Sequence, residues 1–411
     1  MRIAILDGAR IPFQQSGTVY KKLMAYDMVN ACFGGLLKRN SDAVRNHVDL
    51  VNVGTVMQEV KTSNIARESA IKCGISASVP AETVTQACIS SSRALCSSAE
   101  TIMAGNASLA LVGGVETFSD LPIRHSRKMR QYLMTLPKEM KKGVLAGLKH
   151  TAGLGIADFS PELPAIANFT TGEVMGATSE KIATRYNVSR EEQDAFAVRS
   201  HELAYKAHKN GLYKGEIIEF MNTRRENNIR EGVTVKDLGR LRPSFVKKDG
   251  THTAGNSSGL TDGATGCLIS SEAIATQLNV KPIGYLKSWV FTGTDPYKEM
   301  LLGPAYAIPK LLAKNGLTLG DIDVFEIHEA FAGQILANLR ALEANKVGIV
   351  PEDKLNLWGG SLAIGHPLGA SNIRNVVTAC NRLKHEGGRY ALVSACADGG
   401  LASALLIDSN N

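Results

Sequence analysis

One glycine-rich run near the C-terminal end organises the chain: Gly359-Gly360-Ser361-Leu362-Ala363-Ile364-Gly365-His366-Pro367-Leu368-Gly369-Ala370-Ser371. Glycines allow the backbone to approach a ligand or a second chain segment closely, and the run presents a single histidine, His366. The spacing Gly360-x-x-x-x-Gly365 superficially matches a phosphate-binding loop, but His-Pro stands where such a loop needs Lys-Ser/Thr. The run is therefore predicted to place His366 in a site rather than to hold a nucleotide phosphate.

Three other segments supply candidate partners for His366. They are Thr85-Gln86-Ala87-Cys88-Ile89-Ser90-Ser91-Ser92, Phe325-Glu326-Ile327-His328-Glu329-Ala330-Phe331 and Val393-Ser394-Ala395-Cys396-Ala397-Asp398-Gly399-Gly400. A cysteine attacks a carbonyl carbon only as thiolate, so the pKa of Cys88 should be lowered by a helix N-terminus or by a nearby imidazole. Taken singly, Cys88 also fits a small buried residue, His328 a hydrogen-bonded core histidine, and Cys396 either an acid/base thiol or a core residue.

Together the four side chains suit Claisen chemistry beside a thioester. Breaking or making that carbon–carbon bond needs a nucleophile for the acyl group, two oxyanion sites and a proton relay at the α-carbon. Two thiols and two imidazoles cover these roles without a metal or a cofactor. The sequence therefore predicts a Cys/His/His/Cys active site formed by Cys88, His328, His366 and Cys396.

Composition narrows the class of protein. The chain has 411 residues, 44% hydrophobic and 21% charged, which predicts an α/β protein with more than one domain. No apolar run approaches the roughly 18 residues that span a bilayer. The seven cysteines are scattered without a Cys-x-x-Cys pair, which favours neither a disulfide framework nor a metal site. A net charge of +7 is modest for this length, so no nucleic-acid partner is predicted.

The N-terminal residues bear on location. Met1-Arg2-Ile3-Ala4-Ile5-Leu6 is predicted to enter a strand at once, which leaves no room for a secretory signal or a transit peptide. A bacterial cytoplasm is the expected compartment. A mitochondrial matrix protein whose leader has been removed would show the same kind of N-terminus, so this location stays open.

The order of predicted elements repeats. The first part reads as strand 3–6 with a turn at 7–10, helix 22–38, strand 48–54, a strand end at 84–87, helix 90–104 and strand 106–114. The last part follows the same order, with the His366 run, a helix at 372–384, a strand at 390–393 and then Cys396. Two halves of similar topology are therefore predicted, with the active site where they meet.

Between the halves, residues 121–250 are rich in helical segments with few strand-like runs, which indicates an inserted loop domain. Its first part, 121–150, is basic and carries interleaved apolar residues; the basic residues are Arg124, Arg127, Lys128, Arg130, Lys138, Lys141, Lys142 and Lys149, against one acid, Glu139. Such a stretch could dock an anionic membrane surface, a partner subunit or the phosphates of a substrate. The alternative is a solvated helix face.

These segments resemble the thiolase family over essentially the whole chain. The segments of Cys88, His328, His366 and Cys396 occur in the family's order, and Asn256-Ser257-Ser258-Gly259-Leu260-Thr261-Asp262-Gly263-Ala264 is similar to a further family segment. The more common family segment begins with Asn at the position of His328. A histidine there resembles the β-subunit of the trifunctional fatty-acid oxidation complex. Pro122-Ile123-Arg124-His125-Ser126-Arg127-Lys128-Met129-Arg130 resembles the same branch, whose loop here contributes to membrane association.

The resemblance implies the fold and the assembly. It implies an α/β thiolase fold, with two similar βαβαβαββ halves in a five-layered α/β/α/β/α sandwich and an inserted loop domain. The expected divisions are an N-terminal half at 1–120, completed by about 251–275, a loop domain at 121–250 and a C-terminal half at 276–411. The implied partners are acyl-CoA and coenzyme A, at least a second copy of the chain, an α-subunit with hydratase and dehydrogenase activity, and a membrane surface met through 121–150.

The resemblance also implies a 3-ketoacyl-CoA thiolase, which uses coenzyme A as a substrate and needs no cofactor. His366 would activate Cys88 for attack on the C3 carbonyl, and Cys396 would protonate the acetyl-CoA enolate and then deprotonate the incoming coenzyme A. His328 and His366 would hold the first oxyanion. Other implied positions are Asp398 and Gly399 at the second oxyanion site, and Ser258, Asn256 and Met175 as substrate contacts.

Two departures from the family pattern stand out. Asp398 occupies a position where most members have Gly, and a carboxylate there weakens an oxyanion site unless it points away. Leu401-Ala402-Ser403 and Asn372-Ile373 also replace the usual residues after the Cys396 and His366 segments.

Three alternatives compete with a degradative thiolase. One is an acetoacetyl-CoA-forming condensing thiolase. Another is a condensing enzyme of the same fold, such as a ketoacyl synthase or a hydroxymethylglutaryl-CoA synthase, against which Cys396 argues. The third is a non-catalytic scaffold subunit, for which Asp398 is the best support and the four retained site residues are the counter-argument.

Overall fold

The computed structural model describes residues 2–162, 164 and 167–409. Two compact units are distinguished, one comprising Met1–Asp120 and Ala167–Asn411 and the other Leu121–Ile166. No helix in the described part of the chain is long and apolar enough to cross a membrane.

The N-terminal half begins with strands and helices in alternation. Its elements are β1 (Ile3–Arg10), β2 (Gln14–Gln15), α1 (Ala25–Arg39), α2 (Asp42–His47), β3 (Leu50–Gly54), α3 (Ile65–Lys72), β4 (Ala81–Val84), α4 (Ser90–Met103) and β5 (Leu109–Glu116). The predicted turn at 7–10 is wrong, because β1 continues to Arg10. Pairing with β8 (Thr261–Ser271) holds these residues in the sheet, with Arg10 opposite Thr265.

The unit Leu121–Ile166 is mainly helical. It contains β6 (Arg124–His125), α5 (Arg127–Met140), α6 (Val144–Thr151), a 3-10 turn at Ile156–Phe159 and β7 (Pro161–Glu162), which pairs with β6. Tyr132 and His150 stack at 5.0 Å and join α5 to α6. The predicted limits of the loop domain, 121–250, stay a prediction.

The remainder of the larger unit completes the first half and builds the second. The elements before β9 are α7 (Met175–Arg185), α8 (Arg190–Lys209), a 3-10 turn (Leu212–Gly215), α9 (Val235–Gly239), β8 and α10 (Glu272–Gln277). Those from β9 on are β9 (Gly284–Gly293), α11 (Pro296–Glu299), α12 (Gly303–Asn315), a 3-10 turn (Leu319–Asp321), β10 (Val324–Ile327), α13 (Ala332–Ala344), a 3-10 turn (Glu352–Lys354), α14 (Ser361–Ile364), α15 (Ser371–Glu386), β11 (Tyr390–Ala397) and β12 (Leu401–Asp408).

The sheet order displays the predicted repeat. Strands follow the order β10-β11-β12-β9-β1-β8-β5-β3-β4, so the halves meet at the antiparallel pair β9 and β1. Outward from that junction the strands follow as β1, β8, β5 and β3 in the first half and as β9, β12, β11 and β10 in the second. The two-residue β2 lies off this path and pairs with β8. The pairing directions match as well, antiparallel twice and then parallel.

Alternation of side chains along the strands produces five layers. On β1, Ala4 and Leu6 pack with α1 on one face, whereas Ile3 and Ile5 pack with α4 and α15 on the other. On β11, Val393 faces the same α4 and α15 layer, and Leu392 faces α12 and α13. Helices α4 and α15 therefore form a central layer between the two halves of the sheet, which confirms the predicted sandwich.

Candidate active site

A strained turn positions Cys88. The residue follows β4 and precedes the first turn of α4, and Ala87 before it has a φ of 47°, which L-residues other than Asn, Asp and His rarely adopt. The hydroxyl of Ser90 holds the turn, donating to the Ala87 carbonyl at 2.7 Å and accepting from the Gln86 amide at 2.8 Å. The turn sets Cys88 beside the N-terminal end of α4, as predicted.

Glycines let the His366 run pack directly on the N-terminal half. A Cβ added at Gly114, in β5, would lie 2.1 Å from the carbonyl oxygen of Gly369. A Cβ at Gly369 would in turn lie 2.7 Å from the carbonyl oxygen of Val115. The close approach that the glycine-rich run predicts is thus an approach to the end of β5, next to the helix that Cys88 precedes.

A buried carboxylate seals this junction. Glu116, at the end of β5, accepts backbone N–H groups of Val56 at 3.0 Å, Met57 at 2.9 Å and Gly369 at 3.0 Å. Burial raises the pKa of this carboxyl group to about 7, although the three N–H donors oppose the rise. Glu116 therefore ties the His366 run to the loop after β3.

The two histidines form a pair. The rings of His328 and His366 lie with their centroids 4.1 Å apart and their planes inclined by 49°. His328 follows the last residue of β10, and its N–H donates to the Ser394 carbonyl of β11 at 2.8 Å. Within the described residues, the buried Nε2 atom of each ring has no hydrogen-bond partner in the protein. Both nitrogens are thus available to a ligand.

The other nitrogen of each ring is occupied by a serine hydroxyl. His328 Nδ1 lies 3.0 Å from Ser361 Oγ, and His366 Nδ1 lies 2.6 Å from Ser371 Oγ. Both serines belong to the glycine-rich run, at the first residues of α14 and α15. The run thus supplies His366 and also orients both imidazoles.

Cys396 and Asp398 meet Cys88 from the C-terminal half. Cys88 packs against the buried cluster of Ile89, Ala395 and Ala397, two of which flank Cys396 in β11. The backbone N–H of Asp398 opposes the rise in the pKa of the Cys88 thiol. The Cys88 carbonyl accepts the Nδ2 amide of Asn372 at 2.6 Å. The structure therefore brings both cysteines, residue 398 and the start of α15 together.

The ionisation of the resting site differs from the predicted one. Burial, together with the carboxylates of Asp398 and Glu116, raises the pKa of Cys88 to about 12, although a lowered pKa was expected. Burial and the Arg374 charge lower the pKa of His366 to about 3. Burial and the nearby Cys88 also raise the pKa of Cys396. The resting pair is consequently a neutral thiol and a neutral imidazole.

The predicted substrate contacts occupy different places. The N–H of Ser258 donates to the Ala330 carbonyl at 3.0 Å, and the neighbouring Gly259 carbonyl accepts from the His366 N–H at 3.3 Å, so this segment lies against both histidine segments. The Asn256 side chain is buried and bonded to Asp194, Thr251 and Thr253. Met175, the first residue of α7, packs on the C-terminal core. Gly399, whose predicted place at the second oxyanion site stays a prediction, is exposed at the turn after β11. Their contacts with substrate stay predictions.

Sequence reasoning missed four residues around the site. Ser361 and Ser371 stand five residues before and after His366, and a search of that run for hydroxyls could have found them. Arg374, which donates to Ser361 Oγ at 3.1 Å, and Asn168, which donates to Asp398 Oδ1 at 2.7 Å, carry no local signal.

Ser371 bonds the His366 ring, and the next residue, Asn372, bonds the Cys88 carbonyl. With a second thiol in Cys396 and two imidazole nitrogens that the described protein leaves unpartnered, this arrangement fits a cysteine-dependent acyl-transferring enzyme. The chain belongs to the thiolase family. The thiolase N-terminal domain matches residues 3–273, and the thiolase C-terminal domain matches residues 280–409.

Relatives agree with this assignment over nearly the full length. The mitochondrial trifunctional enzyme subunit beta of Bos taurus is 46% identical, covering 99% of this chain and 88% of that protein. A probable 3-ketoacyl-CoA thiolase of Caenorhabditis elegans is 46% identical, covering 99% and 94% of the two chains. The crystal structure of human mitochondrial 3-ketoacyl-CoA thiolase matches with a TM-score of 0.87 at 29% identity, covering 100% of this chain and 99% of that one.

Proposed function

We propose that the protein is a 3-ketoacyl-CoA thiolase, which cleaves 3-ketoacyl-CoA with coenzyme A to acetyl-CoA and a shortened acyl-CoA, the last step of fatty-acid β-oxidation. The observation that carries the proposal is that one stretch of chain holds both Cys88 and the His328–His366 pair. Ser371 bonds the His366 ring and Asn372 bonds the Cys88 carbonyl, while both Nε2 atoms are unpartnered in the described part of the protein. The full-length similarity to 3-ketoacyl-CoA thiolases supports it.

The first half-reaction forms an acyl-enzyme. His366 takes the proton of Cys88 onto Nε2 as the sulfur attacks the C3 carbonyl of the substrate, because neither group is charged at rest. The negative charge on the C3 oxygen is then met by N–H donors of His328 and His366. Collapse of this intermediate breaks the C2–C3 bond and leaves the acyl group on Cys88, and the departing enolate takes a proton from Cys396 to become acetyl-CoA.

The second half-reaction transfers the acyl group to coenzyme A. The Cys396 thiolate removes the proton from the incoming thiol, whose sulfur attacks the acyl carbonyl on Cys88. The backbone N–H groups of Cys88 and Asp398 are the proposed donors to this second oxyanion, and the Asp398 N–H acts to lower the pKa of the Cys88 thiol. Expulsion of the Cys88 sulfur, which regains its proton from His366, restores the resting site.

Coenzyme A is proposed to bind as a substrate, and no cofactor is proposed. Ser258 and Gly259 are the best-supported contacts for the arm that delivers the thioester, because their backbone lies on the segments of both histidines. Asn256 is proposed to support that segment and not to contact coenzyme A directly. Its buried side-chain amide bonds Asp194 and the backbone of Thr251 and Thr253.

The assembly is proposed from the relatives. Trifunctional enzyme subunits beta are by name parts of a complex, and their similarity supports an α-subunit with hydratase and dehydrogenase activity as a partner. A homodimer is the proposed minimal form.

Within Leu121–Ile166, both apolar and basic side chains are exposed, which supports peripheral membrane contact. Met134 is 82% exposed, Leu145 73% and Ile156 95%. Basic residues of 121–150 lie among them on α5 and α6. Such mixed surfaces bind anionic lipid interfaces.

The test is coenzyme A-dependent loss of 3-ketoacyl-CoA absorbance, measured with acetoacetyl and 3-ketohexadecanoyl substrates on the wild type and on Cys88→Ala. We expect turnover by the wild type and none by Cys88→Ala. The ratio of the two substrates assigns chain-length preference. A folded wild type that cleaves neither substrate, alone or with its α-subunit, would contradict the proposal and favour a scaffold subunit.

A further inference from the structure

One serine hydroxyl connects the imidazole of His328 to the guanidinium of Arg374. Ser361 Oγ lies 3.0 Å from His328 Nδ1 and accepts a hydrogen bond of 3.1 Å from Arg374 Nη2. All three side chains are buried, with 2% of Arg374 exposed. Neither Ser361 nor Arg374 has a role in the chemistry above, although together they contact the ring that is to hold the first oxyanion.

The direction of these hydrogen bonds follows from the donors available. Arginine carries only donors, so the Ser361 oxygen must be the acceptor from Arg374, and its own proton cannot point there. Among the described residues, the only other partner of that hydroxyl is His328 Nδ1. A buried hydroxyl proton without an acceptor is costly, so the arrangement that satisfies all three groups directs the Ser361 proton at Nδ1 and leaves Nδ1 unprotonated. A neutral imidazole in this arrangement carries its proton on Nε2.

His366 has the opposite arrangement. The hydroxyl of Ser371 donates to the Pro367 carbonyl at 3.0 Å, so it accepts from His366 Nδ1–H at 2.6 Å. That ring keeps a lone pair on Nε2, as a general base requires. The two neighbouring imidazoles are thus held in different tautomers, one with an N–H donor and one with a free lone pair on the nitrogen that a ligand can reach.

We propose that Arg374 is a positioning residue that, through Ser361, fixes His328 in the Nε2–H tautomer and so makes it a standing hydrogen-bond donor to the oxyanion at C3. This inference rests on the proposed thiolase function for its catalytic consequence. Its structural content, the tautomer of His328, is independent of turnover.

Arg374 is itself held in place by a buried ion-pair group. Its Nη1 lies 3.5 Å from Glu326 Oε2, while Arg382 Nη1 lies 2.8 Å from the other oxygen of the same carboxylate. Glu326 belongs to β10, two residues before His328, so the strand that delivers the histidine also anchors the arginine. The cation is therefore a fixed donor, which a mobile surface arginine would not be.

The tautomer can be read directly in the resting enzyme. Nitrogen-15 spectra of protein labelled in its nine histidines distinguish protonated from unprotonated ring nitrogens, and His328→Asn and His366→Asn identify the two signals. We expect His328 protonated on Nε2 alone and His366 on Nδ1 alone. In Ser361→Ala, His328 should become a mixture of tautomers. A wild-type His328 protonated on Nδ1, or no change in Ser361→Ala, would overturn the proposal.

Kinetics separate positioning from a general structural effect. Ser361→Ala should lower kcat about tenfold, less than the roughly 10²–10³-fold cost of deleting an oxyanion donor, because the ring remains. The rate of Cys88 alkylation by iodoacetamide, which depends on His366, should change less than about twofold. Ser371→Ala should lower both rates. Ser98→Ala is the control for packing. It also removes a buried hydroxyl, but the Ser98 hydroxyl, unlike that of Ser361, has no hydrogen-bond partner in the described protein.

A double-variant cycle tests the route through His328. Asparagine at 328 would present an amide N–H that needs no tautomer to be fixed, so His328→Asn should make Ser361 dispensable. We expect Ser361→Ala to lower kcat about tenfold in the protein with His328, and less than about twofold in the His328→Asn variant. Equal costs in both backgrounds would overturn the proposal. A wild type without thiolysis but with the expected spectra would contradict the proposed function and leave the tautomer assignment intact.

Arg374→Lys provides the conservative comparison. Lysine retains a cationic donor that can reach the hydroxyl, whereas Arg374→Met removes it, and circular dichroism checks that both fold. Arg374→Lys should keep most of the Nε2–H population, and Arg374→Met should reproduce the spectrum of Ser361→Ala. If Arg374→Met folds and His328 keeps its wild-type tautomer, then Arg374 does not fix that tautomer, and the proposed role of Arg374 is wrong.

Discussion

The side-chain amide of Asn168 donates to Oδ1 of Asp398 at 2.7 Å, across 230 positions of sequence. Its own carbonyl oxygen accepts the N–H groups of Thr170 at 3.0 Å and Thr171 at 2.9 Å, so the amide is fixed as a donor. Asn168 thereby holds the carboxylate that departs from the family pattern. The backbone N–H of the same residue acts to lower the pKa of Cys88.

We predict that Asn168→Ala lowers the rate of acyl transfer to coenzyme A about tenfold, because the released Asp398 carboxylate can turn toward the second oxyanion site. Single-turnover measurements on preformed acyl-enzyme report this step alone. The double variant Asn168→Ala/Asp398→Gly has no carboxylate to release and should recover most of the lost rate. No recovery would mean that Asn168 acts by packing.

The Asp398 carboxylate also affects the nucleophile. It contributes to the raised pKa of Cys88, after burial as the main cause, so Asp398→Asn should lower that pKa. The pH profile of Cys88 alkylation should therefore move to lower pH. Asp353→Asn, at an exposed carboxylate in Glu352–Lys354, is the matched control and should not move it. A profile for Asp398→Asn at unchanged or higher pH would contradict the assignment.

The two thiols should be separable in experiment. Cys396→Ala removes the proposed acid for the enolate, so we predict that thiolysis falls by at least about 10³-fold. The Cys88 thiol and His366 remain, so Cys88 should still be alkylated at a rate within a few-fold of the wild type. His366→Ala should instead depress alkylation and thiolysis together. Loss of alkylation in Cys396→Ala would show that Cys396 activates Cys88.

Buried Glu116 predicts a pH dependence of stability. Its folded pKa of about 7 lies above the ordinary value of 4.5, so its contribution is complete below about pH 4.5 and is lost as the pH rises through 7. The shift corresponds to about 3 kcal/mol. In urea unfolding at fixed protein concentration, Glu116→Gln is the variant that cannot titrate at this position. Its stability should fall less between pH 5 and 7.5 than that of the wild type, and an equal fall would contradict the assignment.

Sequence patterns predicted the parts of the protein that are locally encoded. The strand-then-His328 order, Cys88 ahead of α4 and the close approach of the glycine-rich run all follow from short-range signals, and all three are confirmed. The continuation of β1 to Arg10 was missed because a partner strand more than 250 residues away holds it.

The ionisation and orientation of the site could not be read from sequence. The pKa of Cys88 depends on burial and on Asp398 and Glu116, which only the folded chain brings near it. Nothing in the sequence distinguishes Arg374 from the other arginines. Its role depends on the fold, in which α15 places it against Ser361. Contacts between residues far apart in the sequence produce no periodic pattern in it. The roles of such side chains are therefore visible only in the folded structure.

The unit Leu121–Ile166 leads to the last prediction, binding to anionic membranes. Co-sedimentation with phosphatidylserine-containing liposomes should be strong at low salt and should fade as salt rises, because basic residues provide the attraction. Replacing Met134 and Leu145, both mostly exposed, with Ser should weaken binding at every salt concentration by removing apolar contacts. The matched control Val60→Ser alters a residue that is 79% exposed outside this unit and should bind like the wild type. No binding at low salt would leave a solvated helical surface as the better description, and equal binding to neutral liposomes would contradict attraction by the basic residues.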